Sequence, residues 1–185
     1  MNFKKIINLF QSLNSKYILG FVSFIESIFF PIPPDLLLIP MVLSKKFNWL
    51  YLAAITTLAS VLGGIVGYYL GNLFFNELYV YIVDYGYVSN FDAAKVIFLE
   101  YGILILFLSG FTPIPYKVFT ITAGFMSVNL LMFIIVSTIG RGLRFYLVAF
   151  LSNKYRENIN FYLNRYFFQL TVLVLIIFFL FKLYM

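Results

Sequence analysis

Two apolar stretches of this chain are each cut mid-way by a proline cluster, and nothing else in the sequence constrains the fold as much. Residues 17–44 are interrupted by Pro31-Ile32-Pro33-Pro34-Asp35, and residues 98–127 by Pro113-Ile114-Pro115-Tyr116-Lys117. A helix needs about 20 apolar residues to cross a bilayer. The first stretch offers 14 residues before its break, 17–30, and only 36–44 after it. Neither half reaches across at roughly 1.5 Å per residue. Proline removes a backbone donor and clashes with the preceding turn, so the incoming helix stops. The backbone groups released there cannot face lipid and need protein partners or a water-filled cavity. Three other segments are unbroken and are predicted to span the membrane: 50–71, 129–151 and a shorter one at 167–183.

Composition fits no other class. Of the 185 residues, 63% are apolar and 11% charged, where a soluble domain carries roughly 25% charge. A soluble fold of this size buries only about 70% of the surface its unfolded chain exposes, too little to hide this much apolar area. A soluble domain, a disordered chain and a coiled coil are thereby excluded. Cysteine and histidine are absent. That removes disulfides, thiol nucleophiles, the commonest general base and the usual metal ligands. Seven dispersed acids do not make a hard-metal cluster, and no P-loop, dinucleotide fingerprint, nucleophile elbow or EF-hand is present. We therefore expect no cofactor, no metal and no enzymatic activity. The net charge of +6 comes from bases spread thinly between apolar runs, which suits positive ends on membrane helices better than nucleic-acid binding.

The charges also predict topology. Lys16 precedes the first broken stretch, and Lys45 and Lys46 follow it. The positive-inside tendency puts both ends in the cytoplasm, so the stretch enters and leaves on one side as a re-entrant hairpin. Residues 50–71 then cross outward. The next connection carries Glu77, Asp84, Asp92 and Lys95, net −2, which suits the outside. The second broken stretch forms a hairpin from that side, 129–151 crosses back, and Lys154, Arg156, Glu157 and Arg165 make a cytoplasmic loop of net +2. The competing reading counts each kinked stretch as a full crossing. Residues 1–16 place Phe3, Ile6, Ile7, Phe10 and Leu13 at helical spacing and are predicted to lie on the membrane surface as an amphipathic helix.

Pro31-Ile32-Pro33 and Pro113-Ile114-Pro115 are 82 positions apart, and Ser27 and Ser109 match at the same offset, as do Asp35 and Lys117. Hairpin plus spanning helix thus occurs twice. The one crossing between the copies makes them inverted, the signature of transporters whose sites lie where broken segments meet near the midplane. The prolines Pro34 and Pro115 suit helix starts, and two half-helix N-termini pointing inward favour an anion.

Five charges fall at membrane depth: Glu26, Asp35, Lys117, Arg141 and Arg144. Each costs about 2.5–3.5 kcal/mol at a helix centre, so a functional role is the default expectation. Arg141 and Arg144 share one face. The set sums to +1, and a phosphate would complete it, with the arginines as forked donors and Lys117 as a point charge. Glu26 and Asp35 suit proton carriage, since burial favours the neutral carboxyl and a nearby cation the ionised one. The same five residues can also simply pair with one another to hold the hairpins. Gly63, Gly67 and Gly71 show small-xxx-small spacing, which predicts close helix packing within the monomer or in a homo-oligomer. Gly140 and Gly142, flanking Arg141, also leave room for a neighbouring backbone.

The run Phe24-Ile25-Glu26-Ser27-Ile28-Phe29-Phe30-Pro31-Ile32-Pro33-Pro34-Asp35 resembles the first signature of the DedA family (SNARE-associated or VTT-domain membrane proteins), particularly its YqaA-like branch. Ser109-Gly110-Phe111-Thr112-Pro113-Ile114-Pro115-Tyr116-Lys117 is similar to the second, and Gly140-Arg141-Gly142-Leu143-Arg144-Phe145 to the third. The resemblance spans residues 17–151 and leaves 152–185 as a loop and C-terminal helix. It implies an all-α membrane protein with two facing re-entrant hairpins, located in a bacterial inner membrane. It further implies movement of a phosphate-bearing lipid or lipid carrier, with protons as coupling ion, Glu26 and Asp35 as essential acids and Lys117, Arg141 and Arg144 as essential bases. Where many relatives carry arginines around the second proline motif, Lys117 stands alone here. Two other functions fit the residues: a small-ion or proton-coupled transporter, and a non-transporting membrane organiser.

Overall fold

The computed structural model describes residues 14–111 and 116–155. Among them the chain forms seven helices and no strand: α1 (Ser15–Glu26), α2 (Asp35–Leu43), α3 (Trp49–Leu73), α4 (Phe75–Asp84), α5 (Val88–Phe111), α6 (Tyr116–Phe125) and α7 (Leu130–Lys154). The predicted surface helix, but for its last residues, and the predicted C-terminal span lie outside the described residues, as do Pro113 and Pro115.

The helix boundaries follow local chemistry. α3 and α7 are each 25 residues long, about 37 Å at the helical rise and enough to cross a bilayer. Each is opened by an asparagine. Asn48 Oδ1 accepts from the Leu50 amide at 2.9 Å, and Asn129 Oδ1 from the Met132 amide at 3.1 Å, relieving first-turn donors that would otherwise be orphaned. Just before each asparagine a short helix stops on a non-glycine residue in the left-handed region, Lys45 (φ 61°) after α2 and Ser127 (φ 56°) after α6. The order of short helix, left-handed residue, asparagine cap and 25-residue helix therefore occurs twice in the chain.

The first proline break is as expected. α1 ends at Glu26, and the Phe29 and Phe30 amides turn back onto the Ile25 carbonyl. Pro31, Ile32 and Pro33 are exposed, whereas Pro34 is buried at the N-terminus of α2. The connection that follows α3 differs from expectation. Residues read as an outer loop are mostly helical, forming α4 and the first half of α5, with a 69° bend between Val88–Phe98 and Glu100–Phe111. Charge made this segment read as a loop, but its aromatic residues give it a packing face. Phe75 and Tyr79 stack at 5.3 Å, and Phe91 meets Phe125 of α6 at 5.6 Å.

α3 is the central helix. It packs on α1, α6 and α7, while α7 also packs on α2 and α5. α1 thus lies on α3 and α5 on α7, whereas the short helix α2 packs on α7 and the short helix α6 on α3. Small and polar residues line the interior. Thr56, Thr57, Ser60, Gly63, Gly64, Gly67 and Gly71 of α3 are buried, and Leu58, Leu62, Val66, Tyr69 and Leu73 of the same helix are exposed. α7 repeats this, with Ser137, Gly140 and Arg141 inside and Ile135, Ile139, Leu143 and Leu147 outside. Leucine gains nothing by leaving lipid for protein, so membrane helices are drawn together through residues that let backbones approach. Among the described residues two helices, α3 and α7, are long and apolar enough to span, or three if the bent α5 is one span.

The glycine stripe of α3 is used within the monomer. The Phe24 carbonyl of α1 occupies the place a Cβ on Gly63 would take, and the Ile121 carbonyl of α6 does the same at Gly71. Gly64 faces the Tyr116 hydroxyl and Gly67 the Thr120 side chain. From the opposite side, Gly124 of α6 receives the Tyr68 carbonyl. Gly140 meets the Phe107 carbonyl of α5 (2.9 Å from an added Cβ), but Gly142 meets only the Thr57 methyl at 3.7 Å.

Candidate functional site

The five charges expected at membrane depth come together around the first break. Glu26 is the last residue of α1 and Asp35 the first of α2. Nine positions separate them in sequence, yet the break folds the chain back so that they meet Arg141 and Arg144. Those two arginines stand three residues apart on α7, a rise of about 4.5 Å.

Glu26 Oε2 accepts from Arg141 Nη2 at 2.7 Å, and the two side chains are 14% and 3% exposed. The contact is knitted in on every side. Arg141 Nε donates to Ser60 Oγ at 2.5 Å, Ser60 shares a hydrogen bond with Ser27 at 2.8 Å, and Ser27 lies 3.3 Å from Glu26 Oε2. The guanidinium carbon sits 4.8 Å from the Tyr116 ring centre and 4.7 Å from that of Phe145. Two aromatic faces therefore flank the cation, an arrangement that stabilises a desolvated charge by about 2 kcal/mol per well-placed ring. One turn before, Ser23 Oγ donates to the Thr56 carbonyl at 2.7 Å and ties α1 to α3.

The second pair joins α2 to α7. Arg144 Nη2 donates to Asp35 Oδ2, with side chains 15% and 18% exposed. Asp35 Oδ1 is buried without a hydrogen-bond partner. Although Asp35 begins α2, it caps nothing. The first-turn amides of Leu36, Leu37 and Leu38 are taken by the Pro33 and Pro34 carbonyls.

Lys117, the second residue of α6, donates from Nζ to the carbonyls of Phe29 (3.3 Å) and Phe30 (3.0 Å). These are carbonyls that the first break left without helical partners. A residue next to the second proline motif thus completes the backbone of the first. The two acids each hold an arginine, so the surplus positive charge of the set resides at Lys117.

Some contributors were not predicted. Tyr116 and Phe145 flank Arg141, and Ser60 joins the network from α3. Phe145 is four residues after Arg141 and so on its face, a signal that was available. Ser109, 82 positions after Ser27, is buried but bonds its own helix at the Leu106 carbonyl. The polar network is therefore one-sided.

Residues 32–154 match the model of the VTT domain. The chain belongs to the VTT-domain (DedA) family. A Haemophilus influenzae relative, itself uncharacterized, is 46% identical over 134 residues, covering 72% of this chain and 70% of its own. An uncharacterized homologue from Histophilus somni is 42% identical over the same coverage. No solved structure is recognisably similar to this VTT-domain protein. The domain match begins at residue 32, but the cluster does not: Glu26, the last residue of α1, and Ser27 just after it are bonded to Arg141 and Ser60 inside it. The end of α1 is thus bonded into the same polar cluster as α3 and α7 of the matched region.

Proposed function

We propose that this VTT-domain membrane protein moves an anionic, phosphate-bearing lipid or lipid carrier across a bacterial inner membrane, with a proton as the coupling ion. The observation that carries this reading is the meeting of five costly charges at one place, where a helix break faces the middle of a spanning helix. In this reading α1–α2 and α5–α6 are re-entrant hairpins of two inverted repeats, and the chain belongs to the YqaA-like branch. The twice-occurring order of elements and the exchange of short helices between halves support the repeat. The bond from Lys117 to the first break supports facing hairpins. The acidic side of the cluster accepts the proton, and its basic side, on α6 and α7, receives the headgroup.

Two experiments test it. In proteoliposomes, Arg144→Ala should abolish movement of a phosphorylated lipid, and movement equal to the parent would overturn the mechanism. Because the chain has no native cysteine, single cysteines at positions 32 and 114 report topology directly. Water-soluble thiol reagents should reach the first from inside and the second from outside. Labelling only from the opposite faces would remove the hairpins.

The closure of both acids on arginines favours one other reading, a membrane organiser whose charges only hold the helices. Charge-neutral replacement of both pairs with folding and phenotype retained would establish it.

A further inference from the structure

The two ion pairs are chemically alike but differently built, and the difference bears on how a substrate anion gains access. Arg141 is committed. It is 2% exposed, its Nε and Nη2 are bonded to Ser60 and Glu26, and rings flank its guanidinium. An anion could reach it only by dismantling contacts among α1, α3, α6 and α7. Asp35 is held differently. Arg144 is its one hydrogen-bond partner among the described residues, its second oxygen is buried and unbonded, and it does not cap the helix it begins. A carboxylate fixed for structure normally uses both oxygens, since a buried acceptor left unmet costs about 1–3 kcal/mol. The Asp35–Arg144 pair is also the more exposed at its arginine, 15% against 3%. The free-standing cation Lys117 holds the carbonyls of Phe29 and Phe30, in the same break that Asp35 closes.

We propose that Glu26–Arg141 is a permanent tie and that Asp35–Arg144 is an anion site occupied by the protein's own carboxylate, which a phosphate or sulfonate headgroup displaces to bind Arg144. The inference rests on the anionic-lipid reading above and adds which arginine meets the substrate and what stands in its place beforehand. Displacement costs little in geometry, because a phosphate oxygen accepts from the same guanidinium face that the carboxylate uses. It also sets the affinity. A site vacant about one-tenth of the time binds about tenfold more weakly than one always vacant.

The test is binding of a permanently charged alkyl sulfonate, with the alkyl alcohol of equal length as control, to the full chain in nanodiscs of phosphatidylcholine. Asp35→Asn should bind the sulfonate about tenfold more tightly than the parent, with alcohol binding unchanged. Glu26→Gln should not tighten it, and Arg144→Gln should remove the preference for the sulfonate. Emission from Trp49, which packs against the same apolar cluster as Leu38 and Met41 of α2, verifies that α2 stays docked. Asp35→Ser serves as the second vacating variant should Asp35→Asn misfold. Sulfonate binding that Asp35→Asn and Asp35→Ser leave unchanged, or that Glu26→Gln tightens instead, overturns the division of roles while leaving the anion reading intact. Absence of any sulfonate preference in the parent and in every variant overturns both.

Discussion

Glu26 and Arg141 touch at 2.7 Å although they stand 115 positions apart in the sequence. The contact joins the end of a short broken helix to the middle of a spanning one. Removing one partner leaves a buried charge unmatched, which costs about 3–5 kcal/mol, whereas removing both costs far less than the sum. Glu26→Gln and Arg141→Met should each lower the thermal midpoint in detergent, and the double variant should recover much of the loss. Additive losses would show that the pair is not coupled.

Lys117 is expected to matter for folding as well as for charge. Replacing it by methionine leaves the Phe29 and Phe30 carbonyls unmet, about 1–3 kcal/mol for the buried share. Lys117→Arg should lose less, since a cation still reaches the break. Unfolding in a denaturing detergent series measures both, and equal stability of Lys117→Met and the parent would contradict the bonding seen at the break.

The glycines divide into two kinds. Gly63→Ala and Gly124→Ala place a methyl onto a backbone carbonyl, of Phe24 and Tyr68 respectively, and should cost about 1–3 kcal/mol as overpacking does. Gly142→Ala meets only a methyl at 3.7 Å and should leave the midpoint nearly unchanged. Calorimetry or a fluorescence melt separates them.

Lys45 and Ser127 sit at positive φ, a conformation that costs a side-chain-bearing residue about 1–2 kcal/mol relative to its right-handed alternative. Glycine removes that cost but adds freedom to the unfolded chain worth roughly 0.5–1 kcal/mol. Lys45→Gly and Ser127→Gly are thus each expected to stabilise by about 0.5–1 kcal/mol, read from the same melts.

Much of this was legible in the sequence. The long apolar runs gave α3 and α7 to within a few residues, the proline cluster gave the first break, and the five charges that come together were identifiable from their apolar surroundings. Which acid would meet which base was not. Glu26 and Asp35 are nine apart and the arginines three apart, so no single helical register matches them, and only the fold of the break does. α4 was hidden because its charges read as a loop, while its aromatic packing is a tertiary fact. The glycine stripe announced close packing, but whether with α1 and α6 or with another copy depended on the returning chain.

The wide separation of each acid from its arginine has a consequence for biosynthesis. At roughly 5–20 residues per second of translation, Glu26 and Asp35 are made about 5–20 s before Arg141 and Arg144 exist. Through that interval the first arm and α2 cannot settle as they stand in the finished protein. Their carboxyls must stay neutral or keep to the water edge of the insertion machinery. The arrival of α7 then supplies the partner of each acid, so the charged cluster can be completed only once the later half of the chain has been made.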